Sequence, residues 1–148
     1  MRLTTKGRYA VTAVLDLALH QHDGPVSLAA ISERQGISLS YLEQLFAKLR
    51  RNNVVSSTRG PGGGYTLTES VDEVSVSDII LAVDETCKVV DCDGNEGCTD
   101  GYQCLTHDLW QELSNEIRTF LDGITLSEIM SQEAVNDVKV RQDKANIV

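Results

Sequence analysis

The chain has 148 residues, 41% hydrophobic and 24% charged, with a net charge of -9. That length and apolar share suit one folded domain, or a small domain with an appended unit, and exclude a membrane span, because no apolar run approaches the roughly 20 residues that a crossing needs. The acidity taken alone argues against a nucleic-acid partner, yet it is unevenly spread: residues 1–65 carry eight Lys and Arg against four Asp and Glu, whereas residues 66–148 carry five against eighteen.

The opening MRLTTKGRYAVTAVLDLALHQ has the basic start and apolar run of an export signal, but Asp16 interrupts the run and no small-residue cleavage site closes it. The expectation is a cytoplasmic protein, where clustered thiols bind metal or do redox chemistry more often than they pair as disulfides. From Tyr9 onward, Val11, Val14, Leu15 and Ala18 predict a helix with one buried face. Gly24-Pro25 ends it, and Ser27 opens a short helix, SLAAISERQ, with Gly36 where a left-handed cap would fall.

The next segment, ISLSYLEQLFAKLRRN at residues 37–52, sets Leu42, Leu45, Phe46 and Leu49 on an apolar stripe. Helix, glycine turn, helix is the helix-turn-helix pattern, whose second helix enters the major groove of DNA. Ser40 and Gln44 suit base edges, with Ser38 a further candidate contact, and Tyr41, Lys48, Arg50 and Arg51 suit phosphates. Glu43 admits two roles: closing an S-x-x-E capping box with Ser40, or accepting a hydrogen bond from cytosine. VVSST and YTLTE then read as two strands joined by RGPGGG, residues 59–64, which forms a wing. Arg59 there suits a narrow minor groove, and Gly60 is a candidate for close backbone approach. No Gly-Lys-Ser/Thr follows the glycines, which excludes a P-loop.

Ser75 and Asp78 form a capping-box pair ahead of Val76, Ile79, Ile80 and Val83, the stripe of a short helix. The stretch DCDGNEGCTDGYQCLTH follows, with the ligand pattern C-x5-C-x5-C-x2-H at Cys92, Cys98, Cys104 and His107. Three thiols and an imidazole on a glycine-rich backbone specify a metal or cluster site. Structural zinc uses tighter C-x2-4-C knuckles, so an iron–sulfur cluster fits better, with zinc and free or paired cysteines as the other readings. Cys87 reads as a small packed hydrophobe, and His20 and His22 carry no metal role. Beyond the stretch, Leu109, Trp110, Leu113, Ile117, Phe120 and Leu121 give a helix whose apolar face is too broad for one small core. A second copy of the chain would bury it, giving a twofold dimer that reads a near-palindromic duplex; packing against the first helix is the alternative. Gly123 ends that helix, TLSEIM adds a turn or two, and residues 132–148 read as a loose, disordered tail. No nucleophile stands with an adjacent base, so no enzymatic activity is expected.

MRLTTKGRYAVTA, ISLSYLEQLFAKLR, RGPGGGY and the C-x5-C-x5-C-x2-H stretch together resemble the Rrf2 family of winged-helix transcription regulators, from Met1 to about residue 130. The resemblance implies a homodimer carrying one [2Fe–2S] cluster per chain on Cys92, Cys98, Cys104 and His107, with the cell's cluster-assembly machinery as donor. It implies repression of cluster-building genes in the loaded form and action at a second class of promoters in the apo form. Ser40, Glu43, Gln44 and Arg59 match the family's DNA-contacting positions, with Glu43 tied to discrimination between the two site classes. Nitric-oxide-sensing relatives place an acidic ligand near the N-terminus; Arg8 and His107 here favour the cluster sensor. The expected fold is mainly α with a small β wing. Residues 1–70 form a winged helix-turn-helix, residues 71–131 carry dimerisation helices with the ligand loop at 87–107, and residues 132–148 are the tail.

Overall fold

A computed structural model of the protein describes residues 5–84 and 105–145; Cys87, Cys92, Cys98 and Cys104 lie outside the described residues. In chain order the elements are α1 (Thr5–His20), a 3-10 turn (Gln21–Asp23), α2 (Leu28–Gln35), α3 (Leu39–Arg51), β1 (Val55–Thr58), β2 (Gly64–Leu67), α4 (Val76–Ala82), α5 (His107–Asp122), α6 (Leu126–Met130) and α7 (Glu133–Ala145). This is a winged helix: a mostly helical chain with one two-stranded antiparallel sheet.

Helix α1 is the centre, touching α2, α3, β2, α4 and α6. A helix with neighbours on so many sides needs more than one apolar stripe. Ala10, Ala13, Val14 and Leu17 are sealed inside, and the two alanines let flanking elements approach closely. The expected stripe is therefore rotated. Val14 and Ala18 are buried, but Val11 and Leu15 are only half-buried and line a groove beneath α7 instead.

The reading helix begins at Ser38, whose hydroxyl accepts a hydrogen bond from the Tyr41 N–H at 3.2 Å. Ser40 thus sits inside the first turn, so the expected Ser40–Glu43 capping box is not formed. Two serines precede the same apolar run, and the backbone at Ser38 (φ -61, ψ 141) is already extended, as a cap requires. Glu43 is left exposed with no capping duty. Below it Leu42, Leu45, Phe46 and Leu49 are fully buried as expected.

The wing pairs β1 with β2 in antiparallel register, Val55 opposite Leu67 and Thr58 opposite Gly64. A third rung fastens it to the body: the Val26 N–H donates to the Tyr65 carbonyl at 2.9 Å, and the Tyr65 N–H to that of Val26 at 2.8 Å. This close approach explains Gly64, because a Cβ there would collide with the Val26 carbonyl. The Phe46 and Tyr65 rings meet edge to face with centroids 5.0 Å apart, a contact worth about 1 kcal/mol beyond the area it buries. It links recognition helix to wing.

Ser75 and Asp78 close the expected capping box on α4. After α5 the chain returns to the body, with the Val76 N–H bonded to the Ile124 carbonyl at 2.9 Å and the Leu126 N–H to that of Val74 at 3.0 Å. Leu126, Ile79 and Val83 share one core with α1 and α3. The expected loose tail is corrected at residues 133–145, which form α7. No α7 residue is buried, and its apolar stripe is short: Ala134, Val135 and Val138 line the groove over Val11 and Leu15, with polar contacts beside it. Gln35 Nε2 donates to Gln142 Oε1 at 2.9 Å, and His20 Nε2 stands 2.8 Å from Asp143 Oδ1.

Candidate nucleic-acid interface and ligand-loop anchor

Helix α3 presents its polar side outward. Ser38, Ser40, Glu43, Gln44, Arg50 and Arg51 are all exposed, and so are Arg59 and Gly60 at the wing turn. Gly60 has φ +99, a conformation that side-chain-bearing residues rarely adopt, and its carbonyl accepts the Gly63 N–H at 2.9 Å to close the turn. The recognition helix and the wing are also joined at the surface, where Arg50 Nη1 donates to Ser57 Oγ at 3.4 Å.

Two expected contacts are placed differently. Tyr41 is half-buried, packed on the core and edge-on to Tyr9 with ring centroids 6.0 Å apart, so only part of its surface is open to a phosphate. Lys48 does not reach freely into solvent: its Nζ lies 3.0 Å from Asp84 Oδ2. That hydrogen bond lifts the Lys48 ammonium above its ordinary range and holds the Asp84 carboxyl below the usual carboxylate range.

The ligand stretch leaves α4 and re-enters at α5, and these two helices pack against each other. Of the four expected donors only His107 is among the described residues. It is the first residue of α5 and 5% exposed. A buried imidazole at the end of the stretch, with three cysteines in the preceding fifteen residues, supplies thiol and imidazole donors of the kinds that bind transition metals. Among the described residues alone, no group of three or more His, Cys, Asp or Glu could hold a metal ion.

A polar network under the reading unit went unnoticed in the sequence. Asp16, 1% exposed, accepts a fork from Arg34 at 2.9 and 2.6 Å and a third bond from Gln35 at 2.7 Å. The Asp16 bond, with added attraction from Asp16 itself, raises the Arg34 guanidinium above its ordinary range. The interrupting Asp16 of an otherwise apolar run was the available signal, since a buried carboxylate demands a partner.

A match to the family described as "Rrf2: Iron-dependent Transcriptional regulator" covers residues 3–132. The chain belongs to the Rrf2 family. Among its relatives, the HTH-type transcriptional regulator IscR of Pectobacterium carotovorum is 60% identical over 97% of this chain and 87% of that protein. The same-named regulator of Aliivibrio salmonicida is 59% identical over 97% and 85%. Solved Rrf2-type structures agree. IscR of T. potens superposes with a TM-score of 0.74 at 39% identity over 90% of each chain, and CymR, the global cysteine regulator of B. subtilis, with 0.76 at 31% identity over 88% and 97%. The protein is thus a DNA-binding transcription regulator, as its α3 and wing anticipate. Among the described residues no helix is long and apolar enough to cross a membrane.

Proposed function

We propose that this regulator senses iron–sulfur status through a [2Fe–2S] cluster held by Cys92, Cys98, Cys104 and His107, repressing cluster-biogenesis genes when loaded and acting at other promoters when apo. The observation that carries the reading is the donor set itself: C-x5-C-x5-C-x2-H between two packed helices, ending on a buried His107, in a family described as iron-dependent. When bound, the cluster would supply a redox-sensitive unit with less anionic ligation than four thiolates would give. His107 fixes the C-terminal end of the donor set to the start of α5, so the site and the helix are restrained together.

The DNA contacts we assign are Ser38, Ser40, Glu43 and Gln44 toward bases, Tyr41, Lys48 and Arg51 toward phosphates, and Arg59 with Gly60 at the minor groove. Glu43 is exposed and free of capping duty, which supports a role in excluding sites that do not offer it a donor. The outer face of α5 supports a homodimer. Leu109, Leu113 and Phe120 are 55, 40 and 66% exposed there, a stripe at helical spacing that a second copy would cover. Functionally, residues 1–70 read DNA, and residues 71–131 dimerise and hold the cluster supplied by the cytoplasmic assembly machinery.

Anaerobic purification followed by the visible spectrum, with iron and acid-labile sulfide counted per chain, tests this directly. A coloured protein with about two of each, the stoichiometry of a [2Fe–2S] unit, that loses both on His107→Ala or Cys98→Ala is the expected result. A colourless protein containing zinc would replace the sensor with a structural staple.

A further inference from the structure

Among the described residues, two that are not glycine have left-handed backbone: Asn53 at φ +61 and Asp84 at φ +63. They are the exits of α3 and α4, and the two exits lie together. The Asn52 side-chain amide donates to the Lys48 carbonyl at 2.9 Å, closing the end of α3, and to the Ala82 carbonyl at 3.1 Å, at the end of α4. Beside this clasp stands the Lys48–Asp84 pair, at 3.0 Å.

The carboxylate is oddly placed. A helix C-terminus carries partial negative charge and favours cations, yet Asp84 follows the end of α4. Its side chain is 70% exposed, so packing does not demand it. Its electrostatic neighbours are cations: Lys48 first, then Lys6 and Arg51. Lys48 and Arg51 belong to the helix assigned to DNA, and an anion seated on them has the charge and the oxygen chemistry of a backbone phosphate.

We propose that Asp84 is an internal substitute for a DNA phosphate, holding Lys48 back from the duplex and so setting the protein's affinity for DNA. The proposal rests on the assignment of Lys48 to the DNA-facing surface. One ammonium cannot serve a buttressing carboxylate and a phosphate at full strength, and each lysine that engages a phosphate releases counterions, steepening the salt dependence of binding by about one unit.

Full-length Asp84→Asn, Lys48→Gln and the double variant test it by fluorescence anisotropy on a labelled mixed-sequence duplex across a salt series. Asparagine is chosen because it tolerates left-handed backbone as aspartate does, and thermal melts check that each variant is folded. Asp84→Asn is expected to tighten binding about three- to five-fold, the scale of an exposed ion pair, with a steeper salt slope. That gain should shrink to less than about two-fold in the Lys48→Gln background, the mark of coupling between the two residues. Equal or weaker binding by Asp84→Asn overturns the proposal, as does a full gain that survives without Lys48. Should Lys48→Gln leave duplex binding unchanged even in the Asp84→Asn background, where the ammonium is released, the assignment of Lys48 to DNA fails, and the proposal fails with it for that separate reason.

Discussion

Helices α3 and α5 carry apolar stripes of comparable weight, and the chain answers only one of them. Along α3, Leu42, Leu45, Phe46 and Leu49 close completely against α1, α2 and the wing. Along α5 only His107 and Ser114 are buried, while Leu109, Leu113 and Phe120 face outward. An amphipathic period states that a face is apolar; it does not state whether its partner lies in the same chain. The inward-facing stripe supports a reading head that folds on its own residues, and the outward-facing one supports an assembly in which a second molecule completes the structure.

The sharpest way to break that contrast is to truncate both stripes in turn. Leu113→Ser with Phe120→Ser should convert the proposed dimer to monomer in sedimentation equilibrium, weakening association by on the order of 4 kcal/mol if both are central anchors, while the far-ultraviolet spectrum stays helical. Phe46→Ala should do the reverse, costing about 3–5 kcal/mol of fold stability by denaturant titration through the cavity it leaves. A dimer that survives the first change would mean that the α5 face is covered by something other than a second chain.

Arg34→Ala probes the base of the reading unit. Among the described residues it leaves the buried Asp16 carboxylate with the Gln35 hydrogen bond and the His20 imidazole at 3.6 Å, and a loss of about 3 kcal/mol is expected. Ser38→Ala should cost about 1 kcal/mol by removing the cap of α3, whereas Ser40→Ala should leave stability unchanged and weaken DNA binding. Equal stability losses at the two serines would shift the start of α3 back to where the sequence pattern alone had set it.

The smallest effect concerns α7. Hydrogen bonds from Lys139 and then His20 hold the Asp143 carboxyl below its ordinary range. A carboxyl whose folded value is depressed stabilises the structure above its unfolded pKa and loses that contribution as the pH falls through the folded value. Asp143→Asn should therefore cost under about 1 kcal/mol at neutral pH, and wild type and variant should converge as the pH falls below about 4. Melts recorded from pH 7 downward check both the size and the sign.

Much of the reading head was legible because its signals are local. Ser27 and Gly36 bracket α2, Ser75 and Asp78 start α4, and Leu42 to Leu49 mark the buried side of α3, all within a few residues of what they control. The rest depends on partners distant in the chain. Asp16 meets Arg34 eighteen positions on, and His20 meets Asp143 across 123; no window of sequence contains both. Helix α7 escaped notice because its apolar stripe, Ala134, Val135 and Val138, is short and buries no residue fully, and because the polar pairs that help anchor it are just as distant. The proposed donors Cys92, Cys98 and Cys104 lie outside the described residues, so their assignment stands on spacing and on the placement of His107.

Helix α3 is, mechanically, a pointer hinged at its base. At 13 residues it spans about 20 Å, with Asn52 pinning its far end to α4 and Ser38, which we assign to the bases, at the opposite tip. A rotation of about 3° at the pin swings the tip by about 1 Å, given a rise of 1.5 Å per residue. Hydrogen bonds tolerate only about half that distance. A small tilt originating beside α4 is therefore enough to make or break a base contact at the opposite end, with the core between them left packed.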